Sequence, residues 1–167
     1  MTVVRAETES DHEQVRALNL AAFDSAEEAD LVDRLRALAD PLISLVATEG
    51  DSVVGHIMFS PVTLGGNRDL LLLGLGPMAV MPARQRAGIG SRLVTAGLRE
   101  CRQLDVCAVI VLGHPTYYPR FGFTRASEFG WQCQFEVPDD VFMALELTPG
   151  AAAGSAGTIR YHAAFGG

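Results

Sequence analysis

Residues 84–92, RQRAGIGSR, set small and cationic side chains at the front of a segment, LVTAGLRECRQL, whose apolar content predicts a helix. Two other predicted helices open on S-x-x-E, Ser10 with Glu13 and Ser25 with Glu28. In that pattern a hydroxyl and a carboxylate satisfy the first helical N–H groups reciprocally. The helix after residue 88 has no such cap. Its leading N–H groups are donors without an acceptor, and the helix dipole favours negative charge beside them. Small residues at Ala87, Gly88 and Gly90 allow an anion to approach the backbone closely, and Arg86 raises the local potential. The chemistry this predicts is anion binding, with a pyrophosphate in place of the missing cap, held by Gln85, Arg86, Ala87, Gly88, Ile89, Gly90 and Ser91.

The segment that delivers the chain to this point is LLLGLGPMAV, residues 71–80, a nearly continuous apolar run that suits a strand buried on both faces. Pro77 inside it has no N–H to give to a ladder. Following Gly76, it predicts a bulge near Leu75–Pro77 that pushes the strand off a parallel neighbour at 107–113. The backbone groups of Met78, Ala79 and Val80 are then unpaired, and an extended ligand bearing amides would pair with them as an added strand does. A pyrophosphate at one end and an amide-bearing arm at the other describe coenzyme A.

The remaining elements follow from pattern. TVVRAE (2–7) reads as a strand. Helices run from Ser10 to about Phe23 and from Ser25 to Pro41, with Val15, Leu18 and Ala22 on one face of the first and Leu31, Leu35 and Leu38 on one face of the second. ISLVAT (43–48) and VVGHIMFSPV (53–62) form a hairpin, and Gly65-Gly66-Asn67 makes the next turn. The uncapped helix covers about 88–104 and CAVIVLG (107–113) is a buried strand. His114-Pro115 opens a short helix cut off near Pro119. FEV (135–137), VFMALEL (141–147) and TIRYH (158–162) read as further strands, and PGAAAGSAG (149–157) as a surface loop. Hairpins combined with one strand–helix–strand crossover predict a mixed sheet whose crossover pair is parallel.

Gln85, Gly88 and Gly90, as Q-x-x-G-x-G preceded by Val80-Met81-Pro82, resemble the acetyl-CoA signature of the GNAT N-acetyltransferases. Tyr118 ahead of Gly122-Phe123, in GHPTYYPRFGF, is similar to that family's Y-x-x-x-G-F and to its YhbS-like branch of predicted acetyltransferases. The resemblance spans almost the whole chain. It implies the GNAT fold, an α/β (α+β) architecture in one domain over residues 1–167. That fold is a mixed, mostly antiparallel twisted sheet of about seven strands, with a central parallel pair splayed at a β-bulge and about four flanking helices. It implies an enzyme of bacterial type that moves an acetyl group from acetyl-CoA directly to an amine. A backbone N–H from Ala79 or a neighbour would polarise the thioester carbonyl, and Tyr118 would be the general acid toward sulfur. Strand 71–80 carries no acid to serve as a base, so Glu28, His56, His114 and water all stand as candidates. A competing match, GLGPMA (74–79) to the dinucleotide pattern G-x-G-x-x-A, fails on context, because its glycines lie within a strand and proline occupies the turn. A second class of function, a non-catalytic acyl-CoA sensor, needs the same cradle but neither Tyr118 nor an acceptor pocket.

Composition narrows the partners. The net charge of −7 argues against nucleic acid. The longest apolar stretch is too short and glycine-rich to span a bilayer, and no leader pattern precedes residue 20, so a cytoplasmic location without membrane association is expected. Three cysteines without a C-x-x-C pair and four scattered histidines offer no metal site. From Glu7 to Asp33 nine acids face one arginine, a net of −8, whereas residues 80–103 hold five arginines and one acid. The resemblance places the first helices along the acceptor site, so their charge would favour a cationic amine, small molecule or peptide. A homodimer is an open expectation that no residue pattern carries.

Overall fold

A computed structural model of the chain describes residues 1–65 and 67–166. The elements are β1 (Thr2–Ala6), α1 (His12–Ala22), α2 (Glu27–Leu38), β2 (Ile43–Glu49), β3 (Ser52–Leu64), β4 (Asn67–Val80), α3 (Ile89–Gln103), β5 (Ala108–Leu112), β6 (Thr124–Arg125), β7 (Trp131–Cys133), β8 (Phe142–Glu146) and β9 (Gly157–Tyr161). The strands are paired in the order β1-β2-β3-β4-β5-β8-β6, with β9 pairing both β3 and β7. The chain divides into two compact units, residues 1–59 with 76–100 and residues 60–75 with 101–167.

In the first unit β1 lies antiparallel to β2, and β2 to β3. Residues 53–59 of β3 are buried at every position, so both faces of the strand are covered. Alternation sends Gly55 and Phe59 toward α3 and His56 toward α2. Ile89, the first residue of α3, seats over Gly55, where an added Cβ would meet its Cγ2 at 2.9 Å. That packing fixes where the front of α3 lies. Val15 and Leu18 of α1 and Ala29, Val32 and Leu35 of α2 form the buried stripes of the helical hairpin.

In the second unit β4 runs parallel to β5 from Leu72↔Ala108 to Leu75↔Val111, and β5 is antiparallel to β8. Its core gathers Leu72, Ile110, Trp131, Phe142, Ala144 and Ile159. The Trp131 ring stacks on Phe129, and its Nε1–H donates to Ser155 Oγ at 3.0 Å.

The structure corrects several sequence expectations. Among the described residues the sheet has nine strands rather than about seven, and β7 with β9 adds a second parallel pair. FEV (135–137) is loop, and the strand is WQC just before it. Phe135 is apolar because its ring stacks on Tyr161, a side-chain contact that needs no ladder. The helix expected after His114 is only the 3-10 turn Tyr118–Phe121, leaving three α-helices among the described residues. The turn expected at Gly65-Gly66-Asn67 includes Gly66, which lies outside the described residues.

Both predicted capping boxes are misplaced. The first is formed by Thr8 and Asp11, whose carboxylate accepts from the Thr8 N–H at 2.7 Å while a 3-10 turn, Glu9–Asp11, leads into α1. Arg5 also grips Asp11 at 2.7 and 2.9 Å. A carboxylate with a guanidinium partner outcompetes Glu13, and that partner holds Asp11 well below the usual carboxylate range. At α2 the Ser25 hydroxyl accepts from the Glu27 N–H at 3.3 Å, the N-cap position is Ala26, and Glu28 makes no reciprocal bond.

Candidate functional site

The β4–β5 ladder ends at Leu75↔Val111. There Gly76 takes φ +139°, a region open to glycine, and a cis peptide joins it to Pro77. The bulge expected at Leu75–Pro77 thus corresponds to the place where the parallel ladder stops. Past it β4 still follows β3, since the Met81 N–H donates to the Val54 carbonyl at 2.8 Å. On its other edge, among the described residues, Met78, Ala79 and Val80 pair with no residue of β5. Ala79 is buried, and Met78 and Val80 are half-buried.

A 3-10 turn, Pro82–Arg84, carries the chain from β4 toward α3. Arg84 pairs with Glu49 at the end of β2, which tethers the turn. The Gln85 side chain folds back so that its Nε2 donates to the Val80 carbonyl at 3.2 Å. Gln85 therefore closes the end of β4 with its amide instead of presenting that amide outward. Gln85, Arg86, Ala87 and Gly88 are all exposed. Arg86 and Gly88 both adopt positive φ, +67° and +84°. This turns the backbone into the helix, whose first bond runs from the Arg92 N–H to the Gly88 carbonyl at 3.1 Å. Among the described residues no backbone acceptor meets the N–H groups of Ile89 and Gly90. A Cβ built on Gly88 meets nothing within 4 Å, so the backbone here faces open space. Ile89 itself is a core side chain, and Gly90 and Ser91 are half-buried, so what Ile89 and Gly90 present at the helix front is their N–H groups.

Tyr118 opens the 3-10 turn Tyr118–Phe121, and its N–H, like that of Tyr117, donates to the His114 carbonyl. Its ring is 7% exposed and meets Tyr117 and Phe123 edge-on at 5.0 and 5.7 Å. A Cβ on Gly113 would lie 2.2 Å from the ring, so that glycine is what lets the tyrosine lie flat against the end of β5. Burial pushes the hydroxyl up to about 12, with Tyr117 adding to the shift. The group is protonated at every physiological pH. Tyr117 packs on Tyr118 and Phe121, and Arg120 lies 4.4 Å over its ring.

His56 sits in a buried polar network that the sequence did not reveal. Glu7 accepts from Arg36 Nε and Nη2, both at 3.0 Å, and stands 3.6 Å from His56 Nε2, which lies 2.8 Å from Ser44 Oγ. His56 has no exposed surface, and burial lowers its pKa to about 4 despite the pull of Glu7. A base for an alkylammonium works best near neutrality, so this neutral, enclosed imidazole is a structural element. Its titration has a consequence. Between pH 6.5 and 4 the unfolded chain binds a proton at His56 that the native chain refuses, so stability falls as pH is lowered through that window, by about 3 kcal/mol in all. Thermal melts from pH 7 to 4 should show this loss, with a shallower slope in His56→Gln; equal slopes would assign the loss elsewhere.

This fold and this helix entrance define a class. The chain belongs to the GNAT acetyltransferases: the family model for the acetyltransferase (GNAT) domain matches residues 3–126. Among its relatives, the N-acetyltransferase YhbS of Escherichia coli is 34% identical over 164 residues, covering 98% of each chain. The crystal structure of YhbS in complex with CoA superposes with a TM-score of 0.92, covering 98% of this chain and 91% of that one at 33% identity. A GNAT acetyltransferase from Brucella melitensis in complex with acetyl-CoA gives a TM-score of 0.82 at 36% identity, covering 99% and 98%.

Proposed function

We propose that this protein transfers an acetyl group from acetyl-CoA to a primary amine by direct attack. The observation that carries this is the front of α3: bare N–H groups, a backbone turned outward at Gly88, and open space before it. Its relatives with CoA and acetyl-CoA bound share the fold. The backbone from Arg86 to Ser91 holds the pyrophosphate, and the Arg86 guanidinium adds positive charge beside it. Met78, Ala79 and Val80 offer their free strand edge to the amides of the pantetheine arm, as an added strand would. Acetyl-CoA, when bound, supplies a thioester whose carbonyl carbon is open to a neutral amine. A β4 backbone N–H, from Ala79 or a neighbour, polarises that carbonyl.

Tyr118 donates a hydrogen bond to sulfur as negative charge gathers there. With its pKa near 12 against about 8.5 for a free thiol, complete proton transfer to a relaxed thiolate runs uphill, so the contribution lies in stabilising the departing sulfur. Base duty does not fall to His56, and the acceptor proton leaves through water. Since the ring rests on Gly113, Gly113→Ala should displace it and reduce kcat about tenfold or more, while coenzyme A affinity is retained. Stopped-assay thiol release together with calorimetry checks both halves.

The experiment for the reading as a whole is thiol release from acetyl-CoA across an amine panel. Turnover on a primary amine with formation of the N-acetyl product supports it. Tight coenzyme A binding without turnover on any amine would return the acyl-CoA sensor.

A further inference from the structure

The turn ahead of α3 is exposed throughout, from Pro82 to Gly88. It hangs between two anchors on β3: the Met81 N–H on the Val54 carbonyl, and the Ile89 side chain over Gly55. Gly88 reaches positive φ without a side-chain clash, but Arg86 does so at +67° with a Cβ. A non-glycine residue in that region persists where its surroundings hold it there.

Side-chain bonds tie both ends of this turn to one corner of the sheet. Glu49 ends β2 and is the register partner of Thr2 at the start of β1. Its Oε2 accepts from the Thr2 hydroxyl at 3.0 Å and from the guanidinium of Arg84, the last residue of the 3-10 turn. The Thr2 carbonyl accepts at 2.9 Å from Nη1 of Arg92, in the first turn of α3. Arg84 and Arg92 flank residues 85–91, so the segment enters and leaves through the same Glu49–Thr2 pair. An exposed ion pair adds little to global stability, and these side chains are 26% and 44% exposed for Glu49 and Arg84. What the pair does here is local: it fixes two points on either side of a turn that touches little else.

Charge alone gives no reason for an acid at this corner. Glu49 has the same sign as any anion bound at the front of α3, and it engages Arg84, a guanidinium that would otherwise add to the positive potential. We infer that Glu49 is a positioning residue for coenzyme A: by holding Arg84 and, through Thr2, Arg92, it keeps residues 85–91 in the shape that receives the pyrophosphate. It rests on the acetyl-transfer reading only for placing the pyrophosphate there.

The test is calorimetric titration of coenzyme A into wild type, Glu49→Ala and Glu49→Gln, and the sign of the change decides it. By charge alone, removing the acid and freeing Arg84 would tighten coenzyme A in both variants. Positioning weakens it in Glu49→Ala, by about five- to tenfold, because the ligand must then order the turn. KM for acetyl-CoA should rise in proportion while kcat changes by less than about twofold. Glu49→Gln should stay within about twofold of wild type, since in the native protein one oxygen accepts both bonds and an amide oxygen can do the same. Tighter or unchanged binding in Glu49→Ala overturns the inference, and so does a loss that Glu49→Gln shares in full. If Glu49→Ala melts early, Thr2→Val, which removes only the hydroxyl, replaces it: about threefold weaker binding supports the inference, and unchanged affinity overturns it. Binding without turnover on any amine removes the acetyl-transfer reading and leaves this one standing. If wild type binds no coenzyme A, the placing of the pyrophosphate fails, and trypsin cleavage after Arg84 and Arg86 decides the clamp by itself. Faster cleavage in Glu49→Ala than in wild type and Glu49→Gln supports it, and equal rates remove it.

Discussion

Tyr118→Phe lowers kcat for acetyl transfer by about ten- to a hundredfold and leaves coenzyme A affinity unchanged. The substitution removes one oxygen from a ring locked between Tyr117, Phe123 and the backbone of Gly113, so packing is preserved. What is lost is the hydrogen bond that stabilises charge on the departing sulfur. The pH profile separates this role from a titrating one. A hydroxyl pushed up to about 12 does not ionise between pH 7 and 10, so kcat should show no alkaline decline there that the phenylalanine variant abolishes. Such a decline in the wild type alone would mean that the ring is not buried as described. Equal kcat in the two proteins would take Tyr118 out of the chemistry altogether.

Gly88→Val should weaken coenzyme A binding by well over tenfold, the largest effect expected of any substitution in the cradle. Two causes act together. At φ +84° an L residue is disfavoured, by roughly 1–2 kcal/mol, and a β-branched one suffers most. The new side chain also enters space that is open in the protein, within 4 Å of which nothing stands, and which a phosphate must occupy to reach the N–H groups of Ile89 and Gly90. Gly88→Ala keeps the backbone cost with little bulk, so it should fall between the two in affinity. Isothermal titration on proteins of matched melting temperature makes the comparison. Wild-type affinity in Gly88→Val would remove the phosphate from this turn, and equal losses for alanine and valine would assign the effect to the backbone alone.

Much of the cradle was legible in the sequence because its causes are local. A helix start without a capping side chain, glycines within one turn of it, and a proline in an apolar strand are each properties of a few adjacent residues. The structure places Gly76–Pro77 at the end of the parallel ladder and α3 at Ile89 accordingly. Gln85 was legible only as a motif member. That its amide closes on the Val80 carbonyl depends on how the turn folds back. Trp131–Cys133 was missed as a strand because three residues carry too little periodicity to be read, and its pairing with β9 comes from far along the chain.

The sequence by itself determined a mixed sheet and a helix whose leading N–H groups have no capping side chain, since hydrophobic periodicity and backbone donors act over a few residues. Only the tertiary structure decided which polar groups are paired. Arg36 reaches Glu7 across 29 positions and Arg16 reaches Asp30 across 14, while His56 is sealed within β3 and Glu28 is left with an oxygen uncovered by any donor. Local pattern places a carboxylate on a helix face. Whether that carboxylate meets a guanidinium, water or a ligand is set by the partners that folding brings beside it, and no spacing along the chain encodes that directly.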